Sequence, residues 1–447
     1  MTNYVEVKDK QLFFEGQTLT LRGLGLGTWL NIEHFMVGLP GPQSMILDSI
    51  DRVYGSGKGQ DFLDMYVDNF IDEADFKFLK RLGVNFVRVP INYRLFMDDN
   101  TLQFKEFGFQ KVKRLLDFCE KYHIFCMLDM HTAPGGQNPD WHSDNRTGVP
   151  QFWEFKALRN QLVTVWREIA HRFGQQYRYL LGYDLLNEPA MANWPTLNEY
   201  FSDVINKIRE VDQNHAVIVE SDHFAMDFSG LEDIVDNKLI ISFHYYPTVW
   251  KQNLLDRNLD REERKREFDN GLEDVLKTMG NLNHPLICGE AGYDIDANDV
   301  DFSMELLDDT VELFENHHVS WCLWAYKDAC FMGLTHPKTD SPWMKQVAKI
   351  HQQWTHYAEM AQAEKIVESI SEQFDYHDKS LEYEAQFRVR GILYRYQQES
   401  IVIPLLKSMS FEEFVAKLSS FKFAQCDYYP EYATLMQKYT QRNVVFE

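Results

Sequence analysis

Short apolar runs alternate along the chain with stretches in which apolar residues recur every three or four positions. The runs lie at residues 19–24, 84–90, 124–129, 179–186, 216–220, 239–243, 285–290 and 319–323 and read as buried strands. Between them, Ile71, Ala74, Phe78 and Leu82 fall at helical spacing, with Gly83 placed to end the helix. The same spacing recurs in Phe109, Val112, Leu116 and Cys119, in Leu162, Val165, Ile169 and Phe173, and in Leu197, Phe201, Val204, Ile208 and Val211. Phe268, Leu272, Val275 and Met279 mark another helix, and Leu307, Val311 and Phe314 the last. Eight strands alternating with helices predict an α/β architecture, a (β/α)8 TIM barrel.

The flanks read differently. Residues 4–22 alternate apolar and polar around Glu15-Gly16, which predicts an N-terminal β-hairpin plugging the barrel. Residues 34–69, rich in Gly and Pro, predict a long first loop bordering the cleft. The rhythm stops near Trp354. We therefore expect a barrel domain over 1–355 and a helical C-terminal appendage over 356–447, packed on the barrel or used in self-association. Ser410-Phe411-Glu412-Glu413 offers that appendage a capping box.

Composition narrows the partners. The net charge is −23, from 45 basic and 68 acidic residues, which argues against nucleic acid and anionic membranes. No apolar run approaches the ~20 residues of a membrane span. The opening Met1-Thr2-Asn3-Tyr4-Val5-Glu6-Val7-Lys8 is polar and alternating, with no signal-peptide core, and six cysteines show no CxxC pairing. Both features predict a cytoplasmic protein with reduced thiols.

The chemistry sits at strand ends. The run Tyr179–Leu186 breaks into Asn187-Glu188-Pro189, and proline cannot continue a sheet. Asn187 and Glu188 are thereby presented at a strand's C-terminal end, where barrels of this kind build their sites. A glutamate capping the next helix is the plainer alternative. Pro285-Leu286-Ile287-Cys288-Gly289-Glu290 repeats the pattern. Two carboxylates at neighbouring strand ends are what glycoside hydrolysis requires. Other strand exits carry Asn85-Phe86-Val87-Arg88-Val89-Pro90, Asp129-Met130-His131-Thr132-Ala133-Pro134-Gly135-Gly136, His244-Tyr245-Tyr246 and Trp324, and the strand at 19–24 leads into Gly25-Leu26-Gly27-Thr28-Trp29-Leu30-Asn31-Ile32-Glu33.

In this order, these segments resemble glycoside hydrolase family 5, the cellulase-type retaining enzymes, and most of all its exo-β-1,3-glucanase and β-glucosidase branch. The resemblance covers about residues 5–350 and does not reach the C-terminal helices. It implies that Glu290 is the nucleophile and Glu188 the general acid/base, with Asn187 binding the sugar 2-hydroxyl. It further implies that Arg88 and Tyr246 keep Glu290 ionised and that His244 supports the acid/base side. His131 would bond a sugar hydroxyl, Trp324 would be the platform under the reactive sugar, and Glu33 and Lys327 would touch substrate. Glu188 must carry a proton near neutrality, so a carboxyl raised by burial and a neighbouring carboxylate is expected.

The resulting expectation is a retaining β-glycosidase acting on β-glucosides or short β-glucan oligosaccharides, its carboxyls about 5–5.5 Å apart. It needs no metal and no organic cofactor; Asp129 and His131 lack a third ligand at zinc spacing. Rivals within the class are an endo-β-glucanase and a β-mannosidase. A non-catalytic carbohydrate-binding barrel would be expected to lose a carboxylate, and both are present. An aldolase would want a strand-end lysine on strand six. A serine hydrolase would want Gly-x-Ser-x-Gly, which does not occur. Gly55-Ser56-Gly57-Lys58-Gly59 lacks the Ser/Thr of a phosphate loop. Trp141, Trp153, Trp194 and Trp250 fall on loops, available to stack sugars or to fill core.

Overall fold

The alternating N-terminal segment folds into an antiparallel meander, β1 (Glu6–Lys8), β2 (Gln11–Phe14) and β3 (Gln17–Leu19), one strand more than the expected hairpin. The structure, a computed structural model, describes residues 4–280 and 282–441. Val5, Leu12 and Leu21 pack onto Phe86, Phe125, Met127, Leu181 and Ile218 and close the barrel's N-terminal end. A site can then open only at the opposite end.

Eight parallel strands form the barrel: β4 (Arg22–Gly25), β5 (Phe86–Asn92), β6 (Phe125–Thr132), β7 (Leu180–Asp184), β8 (Ala216–Val219), β9 (Leu239–Tyr245), β10 (Leu286–Ala291) and β11 (Ser320–Leu323). Each pairs with the next, and β11 pairs back to β4 to close it. Buried on both faces, these strands are apolar over most of their length, and the charged residues Arg88, Asp129, Asp184, His244 and Glu290 within them belong to the site. That is why each appeared as a short continuous run, and all eight lie within a few residues of the sequence reading. The expected helices surround them, among them Glu73–Arg81, Glu106–Tyr122, Lys156–Phe173, Trp194–Arg209, Arg261–Thr278 and Val300–Asn316.

Residues 34–69 are not a loop. They fold into a helical turn, His34–Val37, and two antiparallel helices, Gln43–Tyr54 and Lys58–Phe70. Ile46 and Ile50 on one helix, and Phe62, Tyr66 and Phe70 on the other, form the apolar stripes that drive this. Gly55 and Gly57, both at positive φ, make the turn between them, so the glycines mark a connection and not a loop's whole length.

The C-terminal helices return to the barrel. Helices His356–Phe374 and Lys379–Gln397 form a hairpin; the chain then runs through Phe411–Ala416, with the capping box at Ser410 and Glu413, to Pro430–Thr440. Phe421 packs on Tyr66, Phe70 and Trp343 at ring distances of 5.0–5.7 Å. A short strand, Cys426–Tyr428, pairs with Thr335–Pro337 beyond β11. Among the described residues, no helix is long and apolar enough to cross a membrane.

Candidate active site

The C-terminal ends of the strands gather a dense cluster of charge around one buried arginine. Arg88, on β5, is completely buried and forms an ion pair with Glu290 from the end of β10. Its other partners are Asp129 at 3.2 Å, Asp184 at 3.4 Å and Glu220 at 3.1 Å. A guanidinium can sit in such a place only with its donors answered by carboxylates. Burial opposes its charge, but Asp129, Glu290 and Glu220 outweigh that and hold it firmly protonated. Its Nη2 also donates to Asn187 Oδ1 at 2.7 Å, which fixes that amide.

Glu290 accepts a second hydrogen bond at Oε2, from the Tyr246 hydroxyl at 2.8 Å. Glu188 stands across from it. One carboxylate oxygen of each and a ring nitrogen of His244 all lie within 4.8 Å of one another. His244 Nδ1 is 2.7 Å from Glu188 and 3.7 Å from Glu290, and its Nε2 is 3.0 Å from Glu220. Burial alone would lower this imidazole, but Glu220, Glu290 and Glu188 raise it well above the usual histidine range. Both nitrogens therefore carry protons and donate.

The backbone at Glu188 is left-handed, φ 46°, a costly conformation for a side chain of this size. Its N–H donates to Glu220 Oε2 at 2.6 Å, which pins the turn. Glu220, held down to about 2 against the push of burial by His244 and Arg88, thus touches Arg88, His244 and the Glu188 backbone at once. It escaped the sequence reading, although Val219-Glu220 repeats the strand-then-carboxylate pattern that exposed Glu188 and Glu290.

His142 escaped it as well. It comes from the loop after β6, and Nε2 lies 3.0 Å from Glu188 Oε2. Burial pushes it down, yet Glu188, Asp140 and Glu33 raise it to about 9. The expectation for Glu188 is corrected accordingly. Burial does raise its carboxyl, but the hydrogen bonds and charges of His142 and His244 prevail and hold it well below the usual carboxylate range.

The remaining candidates line one wall. The Trp324 ring lies parallel to that of His131, 2° between planes and 5.9 Å between centroids. Gly25 and Gly27 let it approach: a Cβ at either would come within 2.6 Å of the indole. His131 Nδ1 is 2.7 Å from Asp129, and burial keeps the ring neutral, down to about 3. Its Nε2 is 3.8 Å from Glu33 Oε1. Burial raises the Glu33 carboxyl well above its usual range, with Glu290 and Glu188 adding to it against the pull of His142. Glu33 Oε1 and Asn187 Nδ2 are buried without a hydrogen-bond partner. Both are poised for hydroxyl groups of a ligand.

Lys327 does not reach this wall. It is fully buried behind it, ion-paired with Asp75 at 2.5 Å and donating to the Phe70 and Phe421 carbonyls at 2.7 and 3.0 Å. All three of its protons are spent there. A Lys327→Met variant should lose about 3–5 kcal/mol of stability, because Asp75 is left buried and unpaired. The urea midpoint should fall while KM for an aryl glycoside stays within about two-fold. Trp153 is likewise structural, its Nε1 donating to the Gln137 carbonyl at 2.8 Å. Trp141 is buried beneath the Arg390 guanidinium, and Trp250 is 42% exposed.

A model of the cellulase family, glycosyl hydrolase family 5, matches residues 55–329. A β-xylosidase from Phanerodontia chrysosporium is 33% identical over 342 residues, spanning 74% of this chain and 72% of that protein. Glucan 1,3-beta-glucosidase 2 from Wickerhamomyces anomalus is 26% identical over 298 residues, 62% and 66% of the two chains. Among solved structures, Thermotoga maritima Cel5A in complex with cellobiose aligns with a TM-score of 0.53 at 15% identity, covering 74% of this chain and 97% of that one. At that identity the likeness speaks for the barrel fold.

Proposed function

The chain belongs to glycosyl hydrolase family 5 and is an O-glycosyl hydrolase; from that premise we propose a retaining β-glycosidase that acts on β-glucosides or short β-glucan oligosaccharides. The observation that carries this reading is the pairing of Glu188 and Glu290 across His244, with oxygens within 4.8 Å. That spacing suits direct attack and leaves little room for the water an inverting enzyme would place there. Glu290, aligned by Arg88 and Tyr246, attacks the anomeric carbon while Glu188, which takes a proton from the neighbouring His142 imidazolium as substrate binds, protonates the departing oxygen. The C–O bond to the leaving group breaks as the glycosyl ester to Glu290 forms. Glu188, now a carboxylate, takes a proton from water, which attacks the ester and returns both carboxyls to their starting state. Asn187 Nδ2, free of protein partners, binds the 2-hydroxyl, and Trp324 supports the ring.

Enclosure supports small substrates. Glu33, His131, His142, Trp324 and Glu290 are all under 10% exposed, as expected of a narrow pocket and not of an open groove. Six unbonded thiols, four of them buried, support action in a reducing cytoplasm. The β-xylosidase relative favours a second reading, in which the pocket takes a pentose. Aryl β-glucoside, β-xyloside and β-mannoside, assayed beside a soluble β-glucan, separate these. We expect kcat/KM highest on the glucoside, by about 10-fold or more over the xyloside, which lacks one hydroxymethyl group. The first sugar released should be the β-anomer by NMR. Preference for the xyloside would install the second reading; a rapid fall in glucan viscosity would install an endo-enzyme. Initial release of the α-anomer would overturn retention.

A further inference from the structure

The helix His356–Phe374 begins against the helical turn His34–Val37, beside the catalytic face, and the contact between them is polar and unfinished. His34 is fully buried, and neither of its ring nitrogens has a hydrogen-bond partner. His356 faces it, 5.1 Å between ring centroids, with Nδ1 also buried and unpartnered. Glu359 is 1% exposed and brings Oε1 to 3.7 Å from His34 Nε2, beyond hydrogen-bond range. One ligand atom from each of the three lies within 4.8 Å of the others. One nitrogen from each imidazole and one carboxylate oxygen, gathered this closely in a buried contact, ask for a common partner.

We propose that His34, His356 and Glu359 bind a divalent transition-metal ion of the zinc type, which ties the C-terminal helices to the rim of the barrel. Two imidazoles and a carboxylate are a ligand set that zinc accepts, with water completing the tetrahedron. His356 and Glu359 are three apart on one helix, so both face His34. Tetrahedral bonds of about 2.1 Å put ligand atoms about 3.4 Å apart, close to the observed His34–Glu359 separation. Trp354 Nε1 donates to the other Glu359 oxygen at 2.9 Å and fixes the carboxylate from behind.

Arg390 is the nearest objection, because its Nε donates a long hydrogen bond, 3.4 Å, to the same Glu359 Oε1. Its guanidinium, however, lies over the Trp141 ring at 4.3 Å and pairs with Asp140 at 2.9 Å. Glu359, Asp140 and Arg390 together still carry one net negative charge. The position has a consequence: His34 follows Glu33 in the chain, and the Trp141 ring, 4.5 Å from His34, precedes His142. An ion here would brace both residues from behind.

The full chain, stripped with chelator, should be titrated with Zn2+ by calorimetry and with Co2+ by visible absorption. We expect one equivalent bound, the intense d–d bands of tetrahedral cobalt, and a higher melting temperature with zinc than without. His356→Gln and Glu359→Gln should each weaken binding by about 100-fold or more, with unchanged far-UV circular dichroism of the stripped protein. Glu290→Gln should bind as the wild type does, because the Glu188–His244–Glu290 group is the competing place for an ion. No binding by the wild type overturns the proposal. So does binding lost in Glu290→Gln and kept in the His356 variant.

Discussion

A Glu290→Gly variant should lose at least about 10⁴-fold in kcat/KM on aryl β-glucosides, the order of loss that follows removal of a covalent nucleophile. The fold should survive. Glu290 hydrogen-bonds Arg88 and Tyr246, but Arg88 keeps Asp129, Asp184 and Glu220 as partners, so no unpaired charge is stranded. Sodium azide should restore turnover by entering the space the side chain vacates. Attack from that face inverts the anomeric carbon, so the product should be an α-glycosyl azide, identifiable by NMR. The same reagent on Glu188→Ala meets the glycosyl-enzyme instead and gives the β-azide. Wild-type rates in Glu290→Gly without azide, or a β-azide from it, would remove Glu290 from the role.

The parts of this molecule that were legible in its sequence share a physical cause. Strands buried on both faces tolerate little polarity, so the apolar runs break visibly at Asn187, Glu290 and His244, the last two still within β10 and β9. Glu220 ends its run in the same way, and the sequence carries no mark that separates it from an ordinary strand-end carboxylate. His142 ends no run. Its value comes from a loop that folds over Glu188, and no local pattern announces that. The paired helices before β5 were hidden by their glycines, although Ile46, Ile50, Phe62 and Tyr66 carried the helical period. Lys327 was misplaced because the resemblance fixes its position in the chain, whereas its direction is set by Asp75, far away in sequence. The protonation of Glu188 failed for the same reason: burial can be inferred from an apolar strand, but the imidazole that outweighs it cannot.

That imbalance has a measurable outcome. In the free enzyme the proton that catalysis needs resides on His142, raised to about 9, while Glu188 beside it is a carboxylate. Asn138 Nδ2 stands 2.8 Å from the same His142 nitrogen. If the proton crosses to Glu188 as substrate binds, the imidazole lone pair accepts from Asn138, so a donor already stands ready for the neutral ring. The basic limb of kcat/KM reports the free enzyme. It should therefore fall with an apparent pKa near 9, being flat below this value and lost as the pair gives up its proton above it. In His142→Phe the proton has only the Glu188 carboxyl to occupy, with His244 still holding that group down. The limb should then move at least one to two pH units lower, with a smaller loss at its plateau. Glu188→Gln should abolish the limb and cost about 10²–10⁴-fold on substrates with poor leaving groups, but little on those that need no proton. A His142→Phe profile superimposable on the wild type would show that the proton was never shared. A limb that persists in Glu188→Gln would show that it belongs to another group.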